Sequence, residues 1–203
     1  MSTYKNIAKS HQIQFKTHSS IISDQARIDG MYKGKSYPFC LPVKYSEQNL
    51  YPPIREDAIH FFKRHNIKWH DEHGEKPSNH LCDSQACCVN FLFPFADKPT
   101  ELAALLRPIY PQISQMLPVE DGMFVSFEWI GAENYLREKV RGIGKRSRGA
   151  NFTSADAIVM FEDIHNQHQI VLMEWKYTES YSPTNLHFSK NGTDRLQIYQ
   201  HLV

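Results

Sequence analysis

The period of apolar and polar positions changes part-way along the chain. Residues 2–53 mix turn formers with short apolar pieces, keep no steady period, and read as a helical or irregular arm or cap. After Pro52-Pro53, Ile54, Ala58, Phe61 and Phe62 recur at helical spacing, which predicts a helix over 54–66 stopped by Asn66. The stretch from Trp69 to His80 is polar and predicts an exposed loop. Asp83 or Ser84 then caps a run from Gln85 to Phe93 that is apolar nearly all round except at Gln85 and Asn90, the pattern of a helix buried on most sides. Asp97 to Glu101 opens another helix with Leu102, Leu105 and Leu106 on one stripe, interrupted by Pro108 and Pro111. Beyond Asp121-Gly122 the runs Met123–Ile130, Ala155–Phe161 and Ile170–Tyr177 predict three strands of one sheet. The last two are joined by a polar hairpin loop over Asp163 to Gln169. From Asp194, Leu196, Ile198, Tyr199 and Leu202 begin a helix that the chain stops inside.

Composition narrows the class without changing this picture. With 203 residues, 41% apolar and 22% charged, one structural domain is expected, its arm and helix over 1–80 packed on a core over 81–203. No apolar run is long enough to cross a bilayer and the start lacks the apolar stretch of a signal peptide, so a cytoplasmic protein without a membrane partner is expected. Cys40, Cys82, Cys87 and Cys88 are spaced poorly for disulfides and are expected as reduced thiols. A net charge of +1 gives no overall pull on a polyanion, so any nucleic-acid surface must be local. The candidate is the basic, glycine-containing connection from Arg137 to Gly149. Its Arg141, Lys145, Arg146 and Arg148 read either as a solvated loop or as phosphate contacts.

The third strand carries the chemistry. Ile170, Val171, Leu172 and Met173 are apolar on both faces, and period-two alternation then places Glu174 and Lys176 together on one face. Charges on a largely buried strand need solvent, each other or a metal. Asp156 stands near the start of the preceding strand, and hairpin pairing across 163–169 brings it opposite Glu174 or Lys176. Asp156 and Glu174 supply oxygen ligands for a hard cation such as magnesium or manganese, and Lys176 an amine to orient or activate water.

At these residues the sequence resembles the PD-(D/E)XK nuclease superfamily: Ser154-Ala155-Asp156, a strand-turn-strand interval, then Glu174-Trp175-Lys176. The wider pattern, Arg148-Gly149-Ala150 and Lys176-Tyr177-Thr178-Glu179, with the helix from Ser84-Gln85-Ala86 to Asn90-Phe91, resembles its restriction-endonuclease-like branch. The resemblance implies an α/β (α+β) fold: a mixed central sheet flanked by helices, in the order α-β-β-β-α-β, behind an N-terminal helical or irregular extension. A fourth strand after the helix at Asp194 is not in the sequence, so the C-terminal part of that core is expected to be missing. It also implies catalysis by Asp156, Glu174 and Lys176, with metal held by Asp156 and Glu174. A further carboxylate is expected at Glu128 or Glu138, Glu128 being favoured. The function implied is that of a metal-dependent endonuclease acting on nucleic acid, DNA in preference to RNA, with a homodimer as the means of cutting both strands.

The competing reading is a non-catalytic nucleic-acid- or protein-binding module of the same fold. In it, a structural zinc would be held within the cluster of His70, His73, His80, Cys82, Cys87 and Cys88. The cluster has no Cys-x-x-Cys pair, and Cys87 and Cys88 fall in an apolar helix where cysteine behaves as a small hydrophobe.

Overall fold

The structure, a computed structural model, describes residues 3–72, 75–138, 146–150 and 152–179, with positions 187, 188, 192, 194, 196, 197 and 200. The protein has an α+β fold in which helices cover one face of a small sheet. Among the described residues, α-helices run over Tyr4–His18 (α1), Arg55–Arg64 (α2), Ser84–Leu92 (α3) and Pro99–Leu106 (α4). A short hairpin is formed by β1, Gly30–Tyr32, and β2, Lys35–Tyr37; the main sheet holds β3, Ile113–Leu117, β4, Val125–Trp129, β5, Ala155–Asp163, and β6, His168–Met173.

β5 is the spine of the main sheet. It pairs with β6 on one edge, from Ala157↔Met173 to Glu162↔His168. On the other edge β4 takes the first half, Trp129↔Ala155 to Val125↔Val159, and β3 the second, Leu117↔Met160 to Ile113↔Asp163. β3 and β4 therefore run end to end along one edge, separated by the excursion 118–124. Every pairing among the described residues is antiparallel, whereas the resemblance implied a mixed sheet. The helix from Asp194 falls largely outside the described residues.

Alternation along β5 explains the core. Ala157, Val159 and Phe161 are buried and meet Phe61 and Phe62 of α2, Val89 and Leu92 of α3, Leu102 of α4 and Val125 and Phe127 of β4. Phe62 stacks on Trp69 with centroids 3.8 Å apart, and Phe127 stacks on Phe93. α2 thus shares one core with β4 and β5, although it precedes the boundary expected near residue 80. On the opposite face Ile170 and Leu172 are 62% and 61% exposed.

Two elements differ from expectation. α1 lies within the segment that showed no period; its only buried side chains are Ala8 and Lys16, too few to leave a stripe. β3 follows Pro111 directly and alternates weakly, because Ser114 and Gln115 are both exposed. No described helix is long and apolar enough to cross a membrane.

Candidate active site

The hairpin β5–β6 brings the three expected chemical residues together. Its turn is closed by Asp163, whose Oδ1 accepts the backbone N–H groups of His165 and Gln167 and whose Oδ2 accepts from Gln169. These hydrogen bonds, that of Gln167 foremost, hold the Asp163 carboxyl below the usual carboxylate range. The turn sets the register Ala157↔Met173, which puts Asp156 opposite Glu174 one step further on.

The ladder stops at Met173, short of the expected end at Tyr177. The cause is local: the N–H of Trp175 donates to Oδ2 of Asp156 at 2.5 Å. Lys176 Nζ lies 3.9 Å from the same Oδ2 and 2.5 Å from Oε1 of Glu174. Side-chain exposure is 16% for Asp156, 62% for Glu174 and 42% for Lys176, so the cluster opens to solvent. Burial, and then the charges of Glu174 and Glu128, push the Asp156 carboxyl up from its usual range, while the Trp175 N–H and the Lys176 ammonium pull it back.

Glu128 occupies a separate, buried position behind this cluster. Val125 and Phe127 face the helices, so plain alternation would send Glu128 to the other face; its φ of 49° breaks that alternation. Its Oε1 accepts from Gln85 Nε2 at 2.7 Å and its Oε2 from the Ser154 hydroxyl at 2.6 Å. Gln85 was visible in the sequence as a polar residue in an apolar helix, and the structure buries it to take this role. Glu138, the other candidate, accepts the N–H and hydroxyl of Thr153.

His70 was weighed only as a zinc ligand, and the structure gives it different partners. Its Nδ1 is 3.0 Å from Asp83 Oδ2 and its Nε2 is 3.9 Å from Glu128 Oε1. Burial works against the charged ring, but the hydrogen bond and charge of Asp83, with Glu128 and Asp71 behind it, outweigh this and hold His70 at about 9. His70 lines a groove of about 820 Å³ together with Lys33, Lys63, Lys68, Asp83 and Glu179.

The other expected residues divide. Arg148 is engaged within the protein: its guanidinium bonds both oxygens of Glu120, the Ser126 hydroxyl and the carbonyls of Phe127 and Glu128, with only 10% of the side chain exposed. Arg146 likewise donates to the carbonyls of Ile130, Gly131, Ala132 and Glu133. Both arginines hold the strand end and loop together. Arg141 and Lys145 lie outside the described residues, as does His73. Among the described residues no three of His, Cys, Asp and Glu form a group able to hold a metal. The cysteines are free, and burial pushes the Cys82 thiol up to about 11 and that of Cys88 further.

Two carboxylates can still serve a hard cation, since magnesium commonly takes one or two protein carboxylates and fills its other positions with water and phosphate oxygens. Asp156 and Glu174 are oxygen donors opposite one another in the hairpin register, and the charge of Glu174 helps push the Asp156 carboxyl up, a repulsion that a cation would relieve.

No curated protein and no solved structure matches the chain. A family model described as "Restriction Endonuclease associating with ARP" matches residues 9–202, nearly the full length, and the chain belongs to that family.

Proposed function

We propose that the protein is a divalent-metal-dependent endonuclease of the PD-(D/E)XK kind that hydrolyses phosphodiester bonds in DNA. The observation that carries this is the meeting of Asp156, Glu174 and Lys176 at one solvent-open end of the β5–β6 hairpin. Membership of a restriction-endonuclease family supports nucleic acid as the substrate.

Asp156 and Glu174 would hold magnesium or manganese, which when bound supplies Lewis acidity towards the scissile phosphate and lowers the pKa of a coordinated water. The chain's own groups do the rest. The Trp175 N–H fixes the rotation of the Asp156 carboxyl. Lys176, held between the two carboxylates, places an ammonium beside the position of the attacking water and offsets charge that develops on the phosphate. Glu128, locked by Gln85 and Ser154, acts as a positioning residue: Ser154 lies two residues before Asp156 and fixes the entry into β5. Among the described residues there is one such cluster, and a homodimer would bring two of them to a duplex, one for each strand.

The test is cleavage of supercoiled plasmid by the purified chain in magnesium or manganese, with and without chelator. The expected result is nicked and linear product that disappears with chelator and with Asp156→Ala. Cleavage surviving both changes contradicts the reading.

A further inference from the structure

Charge is unevenly placed along the chain. Counting histidine as neutral, residues 1–44 contain seven Lys and Arg against two Asp, net +5 in a chain whose total is +1. The rest of the chain is therefore net acidic. α1 contains Lys5, Lys9 and Lys16 and no acidic residue.

Lys16 is turned inward and acts as a fastener. It is 2% exposed, and its Nζ donates to the carbonyls of Ile28 at 3.2 Å and Cys40 at 3.1 Å and pairs with Asp29 at 3.4 Å. A buried ammonium persists only with such partners, and these lie on either side of the β1–β2 hairpin. The hairpin is further fixed from behind. Asn79 Nδ2 donates to the carbonyls of Met31 and Leu41, and a Cβ at Gly30 would stand 2.0 Å from the Leu41 oxygen, so only glycine allows that approach.

What this mount presents is positive. Lys33 with φ 47° and Gly34 with φ 78° form a two-residue turn with both φ values positive, the type that fits strand twist. The turn leaves Lys33 and Lys35 exposed at its tip, and although Lys33 Nζ comes to 4.0 Å from Asp71 Oδ1, 76% of its side chain faces solvent. Lys9 Nζ stands 4.3 Å over the ring of Phe39. Between helix and hairpin lies a cleft of about 300 Å³ bordered by Lys5, Lys9, Tyr37, His80, Thr178 and Glu179. Gln12 of α1 donates to the Tyr177 hydroxyl at 2.9 Å, which joins the helix to the residue after Lys176. The basic surface thus abuts the segment leaving the Asp156, Glu174 and Lys176 cluster.

The geometry points to α1 with the β1–β2 hairpin as the surface that takes the phosphate backbone of duplex DNA, through Lys33 and Lys35 at the tip and Lys5 and Lys9 along the helix. The inference builds on the nuclease reading for its substrate and locates the substrate's path. Such contacts set orientation and strength without reading bases. The lysines of this surface lie apart in the chain from Arg146 and Arg148, whose guanidiniums bond the protein itself.

The experiment is equilibrium binding of a fluorescent DNA duplex to the full chain in chelator, over a range of salt concentrations. Lys33→Gln/Lys35→Gln is compared with wild type and with Lys98→Gln, an exposed lysine at the start of α4. Loss of two phosphate contacts predicts about 10-fold weaker binding at low salt and a slope of log K against log salt shallower by about 2, with Lys98→Gln like wild type. Equal affinity and slope in the double variant overturns the inference. So does an equal loss in Lys98→Gln, or a wild type that does not bind. Because binding is read without metal, the two readings fail separately. A salt slope lost in the double variant of a chain that never cuts plasmid keeps this surface and removes the nuclease; cutting with unaltered binding does the reverse.

Discussion

The backbone N–H of Trp175 donates to Oδ2 of Asp156, tying the aspartate to the residue that separates Glu174 from Lys176. One hydrogen bond therefore sits where the β5–β6 ladder ends and where the three side chains of the proposed site meet, so strand termination and the assembly of that cluster coincide.

Removing any of the three side chains is expected to abolish turnover while leaving the fold. Asp156→Asn, Glu174→Gln and Lys176→Met should each lower the rate of plasmid cleavage by about 10²–10³-fold, the size of effect seen when one preorganised charge-stabilising group is lost. The check is single-turnover cleavage beside thermal melting. An unaltered rate in any of the three removes that residue from the mechanism.

Glu128→Ala acts differently, through stability. It leaves the Gln85 amide and the Ser154 hydroxyl without their acceptor in a buried place, which costs about 2 kcal/mol. Urea unfolding should show a lower midpoint at unchanged slope, and cleavage should fall as well because Ser154 leads into Asp156.

Arg148→Ala is expected to destabilise the fold by about 3 kcal/mol, since it strands Glu120 and two strand carbonyls in a largely buried network. The salt slope of DNA binding should be that of wild type. A shallower slope with normal stability would return Arg148 to the DNA surface.

How far the sequence could show all this depended on whether the interactions were local. The cap of α3 was readable because Asp83 lies three residues before the Ala86 N–H it accepts. The pairing of Asp156 with Glu174 was readable because a short polar loop between two apolar strands leaves few registers. The early end of β6 was not, since it depends on a side chain competing for a strand N–H nineteen residues away. Nor was the placement of Glu128, which needs a positive φ that no sequence pattern announces in a glutamate. The bonds of the arginines were not readable for a related reason. A basic run looks alike in sequence whether it meets phosphates or its own carbonyls, and only the fold shows four carbonyls converging on Arg146.

His70 gives the protein a pH dependence. Its folded pKa, about 9, stands above the ordinary histidine value of 6.5, so the stabilisation from Asp83 and Glu128 is complete below 6.5 and lost as pH rises through 9. The ring is partly open to solvent, and screening limits the effect to about 1 kcal/mol. Melting temperature should fall across this window in wild type and stay flatter in His70→Gln. Parallel curves for the two proteins would show that His70 is not the titrating group.

If Asp156 and Glu174 face one space fit for a hard cation, manganese uptake measures it most directly. With duplex DNA present, the electron paramagnetic resonance signal of free manganese should fall as wild type is added. It should stay unchanged on adding Asp156→Asn/Glu174→Gln. Equal uptake by the double variant would place the metal elsewhere and contradict the account.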